Sequence, residues 1–125
     1  MKSYRELEIY TESKMLSIVV HKMTLLLPKF ELYEEGSQVR RSSKAVTSLI
    51  VEGYGRKRYK AEFIKYLVYS HAECDETITH LEFFYETESF KDKERFDQLV
   101  SDYTLLSKKI NKFIQWVEDH WNEGH

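Results

Sequence analysis

Apolar residues recur at steps of three and four along most of the chain, the period of helices that bury one face. Four such runs are predicted as helices, over about 11–27, 37–54, 59–87 and 93–121. In the first, Leu16, Val19, Val20, Met23, Leu26 and Leu27 share a face. Pro28 closes it, because a proline ring disfavours helical geometry at the residue before. Met15, Ile18 and Leu25 lie off that stripe, so this helix is apolar around more than half its circumference and needs a second contact surface. Tyr4 to Tyr10 reads as a short amphipathic lead-in.

The acidic connection Pro28 to Gly36 sets Glu34 and Glu35 at the positive end of the next helix dipole. Val39, Ser43, Val46, Ile50 and Gly53 form the inward stripe of the second helix, and small Ser42, Ser43 and Ala45 let a neighbour approach. Gly53 and Gly55 suit the left-handed conformation that ends a helix. The third helix turns Phe63, Leu67, Ser70, Cys74, Thr77, Ile78, Leu81 and Tyr85 inward. At 1.5 Å per residue it is roughly 43 Å long, a length natural to a bundle. Glu73 lies beside its stripe and, if buried, needs a cationic or hydrogen-bonding partner, for which Arg40 and Arg41 are the nearest candidates by type.

In the fourth helix Phe96, Leu99, Tyr103, Leu106, Ile110, Phe113 and Val117 alternate steps of three and four, the spacing of left-handed bundle packing. Val100, Ser107, Ile114 and Trp121 form a further column beside them. The prediction is an all-α, antiparallel, up-and-down four-helix bundle, one domain over 1–125, that covers its surplus apolar surface by self-association.

Composition agrees with this. One proline and four glycines in 125 residues leave long unbroken stretches, and 14% aromatic with 32% charged residues argues against disorder. The single cysteine, Cys74, cannot form an internal disulfide, and the opening residues lack the apolar run of a secretory signal. Met15 to Leu27 is too short and too interrupted to span a membrane, which takes roughly 20 apolar residues. The expectation is a cytoplasmic protein.

Charge is distributed unevenly. Ser37 to Lys60 carries Arg40, Arg41, Lys44, Arg56, Lys57, Arg58 and Lys60 against Glu52 alone, a local +6 in a chain of formal charge -2. Internal ion pairs and solvated helix surface account for part of this. Tyr54 and Tyr59 among the last four cations give a composition suited to phosphate contacts with stacking, so a nucleic-acid surface of RNA or DNA is the expectation.

Other chemistry finds little support. None of the five histidines has an acid three residues before it, so the Glu-x-x-His pattern of carboxylate-bridged metal pairs is missing. His71, Cys74 and Asp75 could share a helix face, a trio that arises easily by chance in a charged helix. Cys74 lies on the core stripe and reads as a small buried hydrophobe. Gly53-Tyr54-Gly55 follows a helix and lacks the third glycine and Gly-Lys-Ser/Thr of phosphate loops. No metal, no cofactor and no catalytic residue is expected.

The motifs SQVRRSSKAV and IVEGYGRKRYKAEFIKYL, the opening Tyr4-Arg5-Glu6-Leu7-Glu8-Ile9-Tyr10, and Ser70, Ala72 and Glu73 resemble the four-helix bundle proteins of intervening sequences in bacterial large-subunit ribosomal RNA. The resemblance runs from about Tyr4 to Leu81, with the fourth helix similar by pattern. It implies a ring of bundles, often a pentamer, with no enzymatic activity. A similar bundle is the accessory subunit of diversity-generating retroelements, which binds nucleic acid and a reverse transcriptase. The signature positions carried over are Arg40, Arg41, Glu52, Gly53, Gly55 and Glu73. Where that family commonly has Pro-Ser-Asn-Ile-Ala, this chain has Thr47-Ser48-Leu49-Ile50-Val51, which implies a straighter second helix and no site built on the asparagine amide. A protein-interaction scaffold without a nucleic-acid role is the alternative.

Overall fold

The computed structural model describes residues 2–122, so His125, weighed above as a ligand, lies outside the described residues. Four helices follow one another: α1 (Glu8–Thr24), α2 (Glu35–Gly55), α3 (Lys60–Glu86) and α4 (Lys93–His120), with short 3-10 turns at Tyr4–Glu6 and Lys29–Leu32. No strand occurs among the described residues. Each helix packs on the next and α1 returns to α4, which closes a four-helix bundle. At 1.5 Å per residue α3 and α4 are each about 40 Å long.

Both ends of α1 differ from those the sequence predicts, and α2 begins two residues early. α1 begins three residues early, because Ile9 and Tyr10 join its buried face. It also ends early: the N–H groups of Leu25, Leu26 and Leu27 bond to carbonyls only three residues back, tightening the chain before Pro28. Leu26, placed on the inward stripe by helical spacing, is therefore turned out and is 74% exposed. α2 starts at Glu35, with Glu34 as its N-cap residue, so both carboxylates lie at the positive helix end as expected.

The core runs the length of the bundle through Val20, Val46, Ile50, Phe63, Leu67, Leu81, Leu106 and Ile110. Its least expected component is polar. Ser13, Ser17 and Thr24 form much of the buried face of α1, where spacing had placed Leu16 and Val19, which are only half-buried. Short hydroxyl side chains tolerate this position because they bond back to their own helix, as Ser17 does to the Lys14 carbonyl at 2.7 Å and Thr24 to that of His21 at 2.7 Å. Hydroxyls also join helices: Thr47 to Ser13 at 2.9 Å, Ser42 to Thr77 at 2.9 Å, and Ser70 to the Val46 carbonyl at 2.7 Å. Each of these buried serine and threonine hydroxyls thus finds the partner its burial requires, whereas the Tyr103 hydroxyl is buried without one.

The glycines in α2 are not helix stops. The helix continues through Gly53 to Gly55, and neither residue takes the left-handed conformation expected of it. Gly53 is a packing position: a Cβ there would stand 3.1 Å from Tyr66 Cβ and 3.4 Å from the Phe63 carbonyl, so the missing side chain sets how closely α2 approaches α3. The left-handed residue lies elsewhere, at Glu88 (φ 63°), just after α3.

Candidate nucleic-acid interface

The basic stretch divides into two groups on folding. Arg40, Arg41 and Lys44 sit in the first half of α2 and Arg56 to Lys60 at its far end, about 22 Å away along the axis. The rise of the helix between them separates the seven cations into two groups.

In the first group most of the charge is used inside the molecule. Arg40 Nη1 donates to Thr24 Oγ1 at 3.0 Å and Nη2 to the Leu32 carbonyl at 2.5 Å, tying α2 to the α1–α2 connection. Lys44 Nζ lies 3.1 Å from His21 Nδ1. Desolvation, with the charges of Lys44 and Arg40, holds His21 below the ordinary imidazole value, so its neutral ring can accept from Lys44. Arg41 is exposed and reaches Glu76 loosely, at 3.8 Å.

Glu73 does not pair with Arg40. Its Oε2 is buried without a hydrogen-bond partner. Burial, a hydrogen bond with Glu76 and the charge of Glu76 raise its pKa, with Arg41 and His80 opposing. His80 joins the same cluster, its Nδ1 2.6 Å from Glu35 Oε2 and its Nε2 3.4 Å from Glu76 Oε1. Sequence spacing gives the Glu76–His80 turn but no sign that Glu35, from another helix, closes it.

The second group forms the α2–α3 turn. Arg56 is held between Glu52 at 3.3 Å and Glu62 at 3.2 Å, with its guanidinium over the Tyr66 ring. Lys60 Nζ donates to the Glu118 carbonyl at 2.6 Å, a cation at the negative end of α4. Lys57 Nζ lies 4.0 Å from the centre of the Tyr54 ring, and its carbonyl accepts from Trp121 Nε1 at 2.8 Å. Arg58 is exposed, with its guanidinium 6.0 Å from the ring of Tyr59, itself exposed. Behind the turn, Tyr54, Phe63, Phe113 and Trp121 pack edge to face and give it a rigid base. Of the seven predicted residues, Lys57 and Arg58 have no hydrogen bond or ion pair at their charged groups among the described residues and lie only against the rings of Tyr54 and Tyr59.

Two further arrangements bear on chemistry. Ser107 Oγ lies 3.0 Å from His71 Nε2 and 3.3 Å from Asp75 Oδ1, a hydroxyl–imidazole–carboxylate trio hidden from sequence reading because Ser107 comes from α4. Its His71 Nδ1–Asp75 Oδ2 separation of 3.9 Å is too long for an orienting hydrogen bond. All three residues sit within helices, whose backbone N–H groups are committed and leave no oxyanion donors. Cys74 is buried beside the Tyr103 carbonyl, and desolvation together with Asp75 pushes its pKa up to about 12, the reverse of an activated thiol. No group of three or more His, Cys, Asp or Glu is placed to hold a metal ion among the described residues. None of their helices is long and apolar enough to cross a membrane.

Comparison with known proteins then adds the family. A crystal structure of a protein of unknown function from the S23 ribosomal protein family of Bacteroides thetaiotaomicron superposes with a TM-score of 0.76 at 19% identity, covering 86% of this chain and 95% of that one. At that identity the likeness speaks for the fold alone. No curated protein matches. The model of the 23S rRNA-intervening sequence protein family matches residues 5–112, which takes in most of α4 as well as the motifs of α2 and α3. The chain belongs to the 23S rRNA-intervening sequence protein family.

Proposed function

We propose that this protein is a binding protein without catalytic activity, a self-associating bundle of the cytoplasm that holds structured RNA or DNA on its α2–α3 turn. The observation that supports this most is the contrast within the basic stretch. Arg40, Arg56 and Lys60 are taken up by internal partners, while Lys57 and Arg58 keep their charge available next to exposed Tyr59. Repetition of this turn around an oligomer, five copies by the family resemblance, would add weak phosphate contacts into useful affinity.

Fluorescence anisotropy with a structured RNA at rising salt tests the proposal. Binding should be strongest at low salt, and Lys57→Glu with Arg58→Glu should abolish it or flatten the log–log salt slope by about 1.5, the release expected for two lost phosphate contacts. Absence of binding at low salt would end this reading. Dissociated subunits in the same variant would favour the second one, a protein-interaction scaffold, which draws on the exposed apolar side chains of α1 and α4, Met15 and Leu105 among them.

A further inference from the structure

The end of the bundle opposite the basic turn holds a cleft of about 470 Å³ between the α1–α2 connection, the start of α2 and the end of α3. It is lined by Phe30, Glu31, Glu34, Glu35, Phe83 and the hydroxyl residues Thr87 and Ser89. Two of the carboxylates have structural reasons to be there. Glu34 and Glu35 begin α2, where the helix dipole favours negative charge, and Glu35 is bonded to His80.

Glu31 has no such reason. It is only 5% exposed, yet its carboxylate has no hydrogen bond or ion pair among the described residues and opens into the cleft. Its backbone is fixed on both sides: its N–H donates to the Pro28 carbonyl at 2.9 Å, and its carbonyl accepts from Glu34 at 3.3 Å. Gly36 packs directly against that carbonyl, which only a residue without a side chain could do. Arg40, the nearby cation, is turned to Thr24 and the Leu32 carbonyl and forms no ion pair with Glu31. Its carboxylate oxygens are not among the buried polar atoms, so they meet solvent at the cleft, and nothing in the fold pairs them. Such a group, held in place by its backbone, fits a charge that arrives from outside.

The flanking rings narrow what that charge is. Phe30 and Phe83 are 64% and 50% exposed on either side of the carboxylates. A phenyl face attracts a weakly hydrated organic cation and gains little from a hydrated metal ion. A guanidinium can pair with a carboxylate in its plane and stack on a ring with its face. We propose that the Glu31 cleft is a receptor for an arginine side chain presented by a partner protein.

Titration of the ¹⁵N-labelled full chain with the tripeptide acetyl-Gly-Arg-Gly-amide, followed by amide shifts, tests this. Saturable shifts should be confined to residues 30–36 and 83–89, and should be at least about thirtyfold weaker for Glu31→Gln, the loss expected when one partner of an enclosed charge pair is removed. The citrulline tripeptide, which has the same shape and no charge, should leave the spectrum unmoved. Without peptide, Glu31→Gln should melt at the same temperature as the parent or higher. A lower melting point would mean that the carboxylate has a structural partner, and would overturn the proposal. So would equal shifts in the variant, no shifts at all, the same shifts from magnesium alone, or a Glu31→Gln change that breaks up the peptide-free oligomer, which would put a second copy of the chain in the cleft.

Discussion

Glu73 shows how the environment of one residue becomes a property of the whole protein. Its carboxyl faces Glu76, one of its oxygens is buried without a partner, and burial raises its pKa above the ordinary value of 4.5. Below 4.5 the group is protonated in both folded and unfolded chains and costs nothing. Above its raised folded value it is ionised in both, and the folded state bears the full penalty. Stability therefore falls as pH rises between those values. Glu73→Gln should remove that fall and leave the variant more stable than the parent at pH 7. Thermal melts of both proteins from pH 4 to pH 8 measure it, and a variant less stable than the parent at pH 7 would contradict the account. Charge partners were the least legible feature at this scale. Residue type offered Arg40 or Arg41 for Glu73, but Arg40 is carried to Leu32 by the way the α1–α2 connection folds back, which no spacing within α2 encodes. The inert character of Cys74 was legible, since the stripe that buries it also desolvates it.

At the scale of the helix, the glycines of α2 were readable as a group and misread in purpose. Local propensity points to a stop, and only the path of α3 shows that Gly53 exists for contact. Three substitutions separate the roles. Alanine gains about 0.5–1 kcal/mol over glycine inside a helix, a term of similar size at each position. Gly55 has nothing within 4 Å of an added Cβ, so Gly55→Ala should be neutral or slightly stabilising. At Gly53 the added carbon presses on Tyr66 and on the Phe63 backbone, so Gly53→Ala should fall about 1–3 kcal/mol below Gly55→Ala. Gly36→Ala should be the worst of the three, because its obstacle is the carbonyl of Glu31, which cannot rotate away. Urea denaturation of the three variants gives the order, and equal midpoints for Gly53→Ala and Gly55→Ala would show that α2 and α3 can part without cost. The inward stripes of α2, α3 and α4 were legible from period for most of their length, although Phe84 and not Tyr85 takes the last buried place of α3. α1 was less so, since its buried serines look like a solvent face until their hydroxyls find carbonyls.

For the molecule as a whole, the apolar surplus of α1 remains after folding. Met15, Ile18 and Leu25 are 58%, 47% and 56% exposed, as their position off the stripe predicts, and Leu105 on α4 adds 53%. Met15 and Leu105 face a groove of about 190 Å³ between α1 and α4 that Leu16 floors and Glu12 and Asp102 rim. Farther along, Lys109 spans the two helices to Glu8 at 2.8 Å and Glu12 at 2.6 Å. An apolar strip with a polar rim is the anatomy of a surface that excludes water against another surface. Self-association through α1 and α4 would cover it without disturbing the α2–α3 turn, so oligomer formation and nucleic-acid binding would be separable by mutation. Met15→Lys combined with Leu105→Lys places charge in the strip at positions already open to solvent, where a single chain loses little. The double variant should keep the parent's helical circular dichroism and, in light scattering, drop to the mass of one chain while the parent stays at a multiple of it. It should then bind a structured RNA more weakly through loss of avidity, with the salt slope per chain unchanged. A parent that already has the mass of one chain would leave the strip without a partner of its own kind.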